Sequence, residues 1–522
     1  MANADKKRVM RAVTGSAVIR RETFVDLMDG RTTEIMGLAK YIEACTRESV
    51  CFTRPLLGDL LSEASKLEEL LDAYGAQNNS LWYIFRQLIA TAKLFSAVGY
   101  NLLHIKHSLP GYHLLPVGAD FPEATERALR FMRDTMVWVA ASLLQEARKL
   151  KLSIPAETPG AQRFSEELPP GHLPFDRATA KVVSPEETVV YLSTAFLNLV
   201  EESKVLHISR KYTPEDYPSL LPDPISEEKL RTFEQDFHNL QSLYDTYISD
   251  SNVETLDEDL PVLRGHITVI YHLLEAATAL AHYYERHLHT PKANPLSRID
   301  STRLLSVLMR YSLGFSSRYI VKARSLCHRM LKKYAKQGRI EVDIPRYRGF
   351  HVRPSTLLAR IVSHYGSRVT MKMGSESYNA GITLDLFRAN EKVNAIKRRF
   401  IADEVARIHK ECRYANGDDM LGAVRSIIHT LFEENKLFLT NQDFTLKEIE
   451  PLQKETVCQY AVRVVMRLFT MEKIDIPICV KVEFIGDQRV LEDIRLLAET
   501  GYGEDSFGNN LALPVKLQYL RK

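Results

Sequence analysis

"GFHVRPSTLLARIV" spans Gly349–Val362, and its reading decides what kind of fold surrounds it. His351 stands just ahead of the Arg353-Pro354 pair, between an extended segment and an apolar run at helical spacing. Pro354 fixes its own φ and lacks an N–H that a first helical turn would leave unpaired, so a helix starts beside His351. The backbone N–H groups of Val352 and Arg353 are then free to face whatever sits on the imidazole. A helix N-terminus favours an anion over an imidazolium, and Arg353 adds a fork of donors for phosphate oxygens. A histidine N-cap with no chemistry is the competing reading.

Outward from this stretch, the period of the apolar residues changes. After Gly338, "RIEVDI" alternates as a strand does, and "SRVTMKM" and "SESYNA" read as two strands around a Gly374-Ser375 turn. A long charged helix, "TLDLFRANEKVNAIKRRFIADEVA", follows, then a short extended piece near "ARIHKECRY". "DDMLGAVRSIIHTLFEEN" reads as a helix started by Asp418 or Asp419. The final segment predicts a helix, "EIEPLQKETVCQYAVRVVMRLF", and two alternating strands, "KIDIPICVKVEFI" and "LALPVKLQYL". The loop "ETGYGEDSFGNN" between those strands reads as a flexible turn; no G-K-[ST] follows it, so it is no P-loop.

Upstream, the pattern is helical from about Thr53 to Arg339. "RPLLGDLLSEASKLEELLDAY" repeats leucine at helical spacing, and "SLWYIFRQLIATAKLFSAVGYNLLHI" is apolar almost all round, as a central bundle helix is. Pro-rich breaks fall near residues 153–183 and 212–226. After the first of them, Ser184, Pro185 and Glu187 spell a capping box. No fixed-period repeat is present, so a solenoid is not supported.

The totals fit a globular protein of roughly three domains: 522 residues, 45% hydrophobic and 26% charged. A formal charge of +3 is nearly balanced and gives no reason to expect nucleic acid as a partner. The start, "MANADKKRVMRAVTGSAVIRR", lacks a secretory apolar core, and "MVWVAASLL" (Met136–Leu144) is far too short for a membrane span. The six cysteines, Cys45, Cys51, Cys327, Cys412, Cys458 and Cys479, form no C-x-x-C pair. Their scatter predicts reduced thiols and a cytoplasmic location, with no metal and no cofactor.

Gly349, Phe350, His351, Val352, Arg353, Pro354, Ser355 and Thr356 stand close to G-L-H-A-R-P-A-T. That is the site motif of the histidine-containing phosphocarrier protein (HPr) of the bacterial phosphoenolpyruvate-dependent phosphotransferase system. "YNAGITL" (Tyr378–Leu384) also resembles that family's segment around its second helix. The resemblance covers about one fifth of the chain. It implies a bacterial phosphocarrier or regulator in which enzyme I phosphorylates His351 on Nδ1, with Arg353 and the Val352 and Arg353 amides holding the phosphoryl group. The group then passes to an acceptor, or its presence is signalled through the helical region. It also implies docking through Leu384, Leu386 and Phe387, which packing explains equally well. Where Gram-positive members carry a regulatory serine, this chain has Ile382 with Thr383 beside it, so Thr383 is the candidate regulatory position.

The expected fold class is therefore multidomain. An all-α region (1–338) precedes an α+β HPr-like domain (339–440), an open-faced antiparallel sheet with helices on one side. A small α/β segment (441–522) ends the chain. The expected partners are an enzyme I-type phosphodonor and an acceptor or regulated protein, with no nucleic acid and no membrane span. The expected activity is that of a phosphoryl carrier rather than a stand-alone catalyst. A rival from the binding class is an HPr-like docking module, never phosphorylated, on a helical scaffold. A third reading places a metal on the helix face of His272, Glu275 and His282, although no paired E-x-x-H completes such a site.

Overall fold

The computed structural model describes residues 18–45, 52–167, 169, 171, 173–174, 182, 184–210, 212–288, 299–412, 419–440, 450–505 and 508–521. The chain divides into two compact units, Met1–Arg329 and Met330–Lys522. It is 69% helical with 7% strand. That composition corrects the expected class: the protein is mainly helical, not a helical region joined to an α+β domain and an α/β tail.

In the first unit the helices are α1 (Arg21–Ala44), α2 (Arg54–Ala73), α3 (Tyr83–Ser108), α4 (Phe121–Leu150), α5 (Pro185–Glu202), α6 (Glu227–Tyr247), α7 (Asp259–Tyr283) and α8 (Ser301–Ser306). α8 runs through a π-helical turn, Val307–Leu313, into α9 (Gly314–Tyr334). α3 is the central helix, packed against α2, α4 and α7. By length and composition Tyr83–Gly111 could cross a membrane, and 67% of its most apolar window is buried inside the protein. The starts follow from side chains: Thr53, Asp120 and Ser226 each accept a backbone N–H at the first turn of α2, α4 and α6. Ser184 makes no such bond, so the capping box read there does not form. α1 was not anticipated, although Phe24, Met28, Ile35, Leu38, Ala39 and Ile42 are buried along it.

The second unit is built on β1 (Gln337–Asp343), α10 (Val352–Tyr365), β2 (Val369–Met373), β3 (Glu376–Asn379), α11 (Thr383–Cys412), α12 (Met420–Glu433), β4 (Phe438–Leu439), α13 (Val457–Thr470), β5 (Ile474–Asp475), β6 (Lys481–Asp487) and α14 (Gln488–Glu499). Four strands form an antiparallel sheet in the order β1-β6-β2-β3, and β4 pairs with β5 alone. Ile340 and Met371 lie opposite Phe484 on either side of β6. These residues share one core with Leu358 and Ile361 of α10, Leu386 and Val393 of α11, and Ile494 of α14. Further along, α11 carries Ile401, Val405 and Ile408 into a second core with α12, α13 and Ile474.

Three strand and loop expectations fail here, each for a local reason. "KIDIPICVKVEFI" is divided at Pro477, which has no N–H for a ladder. Its first half pairs with β4 and its second half becomes β6, at the centre of the sheet. β6 thus brings residues after position 440 into the same sheet as β1, β2 and β3. "LALPVKLQYL" holds no strand; Val515–Arg521 is a 3-10 helix after Pro514. The piece near "ARIHKECRY" is not extended, because α11 continues through Cys412. The thiol expectation also changes: Cys327, Cys412, Cys458 and Cys479 are free, but Cys45 is disulfide-bonded. Cys51 and Asp418 lie outside the described residues.

Candidate functional site

The segment from β1 to α10 is held by backbone geometry that few residues tolerate. Arg348 and Gly349 both adopt positive φ, 53° and 61°. A Cβ on Gly349 would stand 2.3 Å from Asn390 Oδ1 and 3.2 Å from Val393, so only glycine fits the approach of α11. The Arg348 N–H donates to Asp475 Oδ2 at 2.8 Å, which ties this turn to β5. Asp475 is itself buried and accepts from Lys397 Nζ at 2.6 Å, with the two side chains 3% and 1% exposed. Burial pushes the Lys397 ammonium below its ordinary value, and the Asp475 carboxylate opposes that shift. Lys397 is therefore a core cation.

Phe350 is fully buried against Tyr502, which turns His351 outward at the N-cap of α10. The Ser355 N–H donates to the His351 carbonyl at 3.1 Å, and the Ser355 hydroxyl donates to the Phe350 carbonyl at 2.8 Å. Among the described residues, the Val352 and Arg353 amides have no acceptor within the chain. The imidazole contacts Glu504: His351 Nε2 lies 2.7 Å from Glu504 Oε1. The carboxylate side chain is 2% exposed, whereas the histidine side chain is 25% exposed. A carboxylate can only accept, so in the neutral ring Nε2 carries the hydrogen and Nδ1 carries the lone pair. Nothing among the described residues hydrogen-bonds Nδ1.

Arg353 joins the same group from the other side. Its Nη1 is 3.5 Å from Glu504 Oε2 and donates to the Gly508 carbonyl at 3.3 Å. Glu504 Oε2 is buried and has no hydrogen-bond partner of its own. Tyr347 stands edge-on to the His351 ring at 5.7 Å and fills the space beside Gly508, where a Cβ would meet its ring at 2.4 Å. Glu504 is the member of this group that the sequence reading does not include. The loop carrying it reads in sequence as a flexible turn, yet Tyr502 is buried there at φ 60° and its hydroxyl donates to the Asp343 carbonyl at 2.6 Å. The signal available was an acid inside a Gly-rich run, GYGED, too weak to find alone.

The other candidate residues are distributed as follows. Val352 and Leu384 are each 67% exposed, and Ile382 beside Thr383 is 48% exposed. Leu386 is fully buried in the sheet core, so it packs and presents no surface to a partner. Phe387 is half-buried, as is Thr383, the first residue of α11. In the first unit, His272 Nδ1 lies 2.7 Å from Glu275, whereas His282 lies 2.9 Å from Glu227 of α6. The His272–Glu275–His282 set is thus divided between two carboxylates. Among the described residues, no three histidine, cysteine, aspartate or glutamate side chains are grouped to hold a metal.

What the His351 group can do chemically is offer one in-plane lone pair to an electrophile. Glu504 would stabilise the charge that the ring gains on bond formation. Comparison with family models, with curated proteins and with solved structures finds no match for this chain.

Proposed function

We propose that His351 is a phosphoacceptor and that the chain is a phosphotransferase-linked phosphocarrier or regulator, as its resemblance to HPr implies. The observation that carries this reading is the contact between His351 Nε2 and the buried Glu504 carboxylate at 2.7 Å, which leaves Nδ1 as the nucleophile. In the step itself, the N–P bond of a donor phosphohistidine breaks as the Nδ1–P bond forms. The donor imidazole keeps the electron pair of its broken bond and is restored as a neutral ring. The His351 ring gains positive charge while its Nε2–H remains on Glu504. The Val352 and Arg353 amides and the Arg353 guanidinium supply donors to the phosphoryl oxygens.

The test is incubation of the full chain with enzyme I and labelled phosphoenolpyruvate, beside His351→Ala and Glu504→Gln. The expected result is an acid-labile label on the wild type, none on His351→Ala, and labelling about 10- to 100-fold slower in Glu504→Gln. An unlabelled wild type, or equal label on His351→Ala, overturns the proposal.

A second reading, docking without phosphorylation, is favoured by one observation: Val352, Ile382 and Leu384 are large apolar side chains left exposed. It predicts partner capture that survives His351→Ala and is lost in Leu384→Glu.

A further inference from the structure

Within the first unit, α4 and the run from α8 into α9 enclose an open cleft of about 690 Å³. That size suits a small molecule rather than a single ion. Its floor is apolar: Phe131, Tyr311 and Phe315 are all buried beneath it, and Tyr311 is anchored by a 3.0 Å hydrogen bond to Thr125. Its rim is basic. Arg127, Arg130, Arg303, Arg310 and Arg318 line the cleft, against only Asp120 and Asp134.

The two acids do little to offset that charge. Asp120 is spent as the N-cap of α4, accepting from the Glu123 N–H at 2.9 Å. Asp134 lies 3.6 Å from Arg303, whose guanidinium also rests on the Phe131 ring at 5.2 Å. Glu123 is shared between Arg127 and Arg130 at 3.3 and 3.2 Å. Arg310 and Arg318 have no carboxylate partner among the described residues. Arg318 has only the Val117 carbonyl at 3.5 Å and the face of Phe315. Arg310 projects from the π-helical turn Val307–Leu313. Such turns carry a local cost within a helix and are frequent at functional sites. Five guanidinium groups in a concave site focus positive potential, and their forked donors match phosphate oxygens.

We infer that this cleft binds a small phosphorylated polyanion of the nucleoside polyphosphate class. The phosphates lie among Arg303, Arg310 and Arg318, and the planar body lies over the aromatic floor. Cleft volume and apolar floor favour such a ligand over an acidic peptide or a nucleic acid strand, which needs an extended track. The site stands apart from the His351 reading, and its test does not involve phosphotransfer.

Isothermal titration of the full chain should be run with ATP, with inorganic pyrophosphate and with a short single-stranded oligonucleotide. The expected result is saturable one-to-one binding of ATP, with pyrophosphate weaker by tenfold or more. In Arg310→Gln/Arg318→Gln the ATP affinity should fall at least tenfold. Arg310 is exposed and Arg318 half-buried, so a melting curve of the variant separates lost binding from lost folding; Arg303→Gln gives an independent second variant. No saturable heat from ATP or pyrophosphate at millimolar concentration overturns the inference. So does ATP binding that is unchanged in both variants, or binding of the oligonucleotide alone.

Discussion

His351 by itself is an ordinary side chain, and what singles it out is what its neighbours do to its two nitrogens. Pro354 and the start of α10 place unpaired amides beside it, and Glu504 occupies Nε2. The backbone that delivers it is equally particular. At Gly349 a methyl group would collide with Asn390 at 2.3 Å, in a left-handed conformation that alanine also disfavours. Gly349→Ala should therefore cost roughly 1–3 kcal/mol. Chemical denaturation would show a lowered midpoint at constant m. The motif and the helix start beside His351 are legible in sequence because both rest on local rules. Glu504 is not, since it lies 153 positions along the chain from its partner. No local rule ties a loop acid to a histidine so distant.

At the scale of elements, α11 carries the greatest structural burden in the second unit. Its first turns pack on the sheet, and its later turns pack on α12 and α13, so one helix joins two cores. The Lys397–Asp475 pair sits between them and also holds the Arg348 amide ahead of His351. Removing one partner of a buried pair leaves an uncompensated charge. Lys397→Met should thus destabilise by about 3–5 kcal/mol, while Lys397→Met/Asp475→Leu should recover part of that loss. A double-mutant cycle by denaturant melting measures both; an additive outcome would show that the pair is not coupled. A helix period of 3.6 sends consecutive residues to different faces. Lys397 points inward, while its neighbours Arg398 and Arg399 do not.

For the molecule as a whole, histidines whose pKa is lowered by burial weaken it toward acid, His104, His266 and His287 in the first unit and His364 in the second. Burial lowers the pKa of His104, His266 and His287 first of all, with nearby cations adding to the effect. His287, beside Arg86 and His282, is pushed down to about 3. A histidine that titrates lower in the folded state binds fewer protons there than in the unfolded chain. Stability is therefore full above about pH 6.5 and falls as the pH drops toward the folded values. His287, whose folded value lies well below that window, contributes a slope of up to about 1.4 kcal/mol per pH unit there. Melting temperature should fall between pH 7 and pH 5, before the carboxylates titrate, and His287→Gln should flatten part of that slope.

Most of the helices, the extended segment before His351 and the helix after it are legible along the chain. These follow from spacing, capping and proline, which act over a few residues. Packing over long range sets what remains: that the chain is mainly helical, that β6 lies between β1 and β2, and that Glu504 meets His351. Alternation tells which face of a segment is apolar, but not whether that segment pairs, or with what. Pro477 and Pro514 each denied a ladder N–H to segments whose alternation looked sound. The remaining pairings were settled by long-range packing, in which residues more than a hundred positions apart share one core.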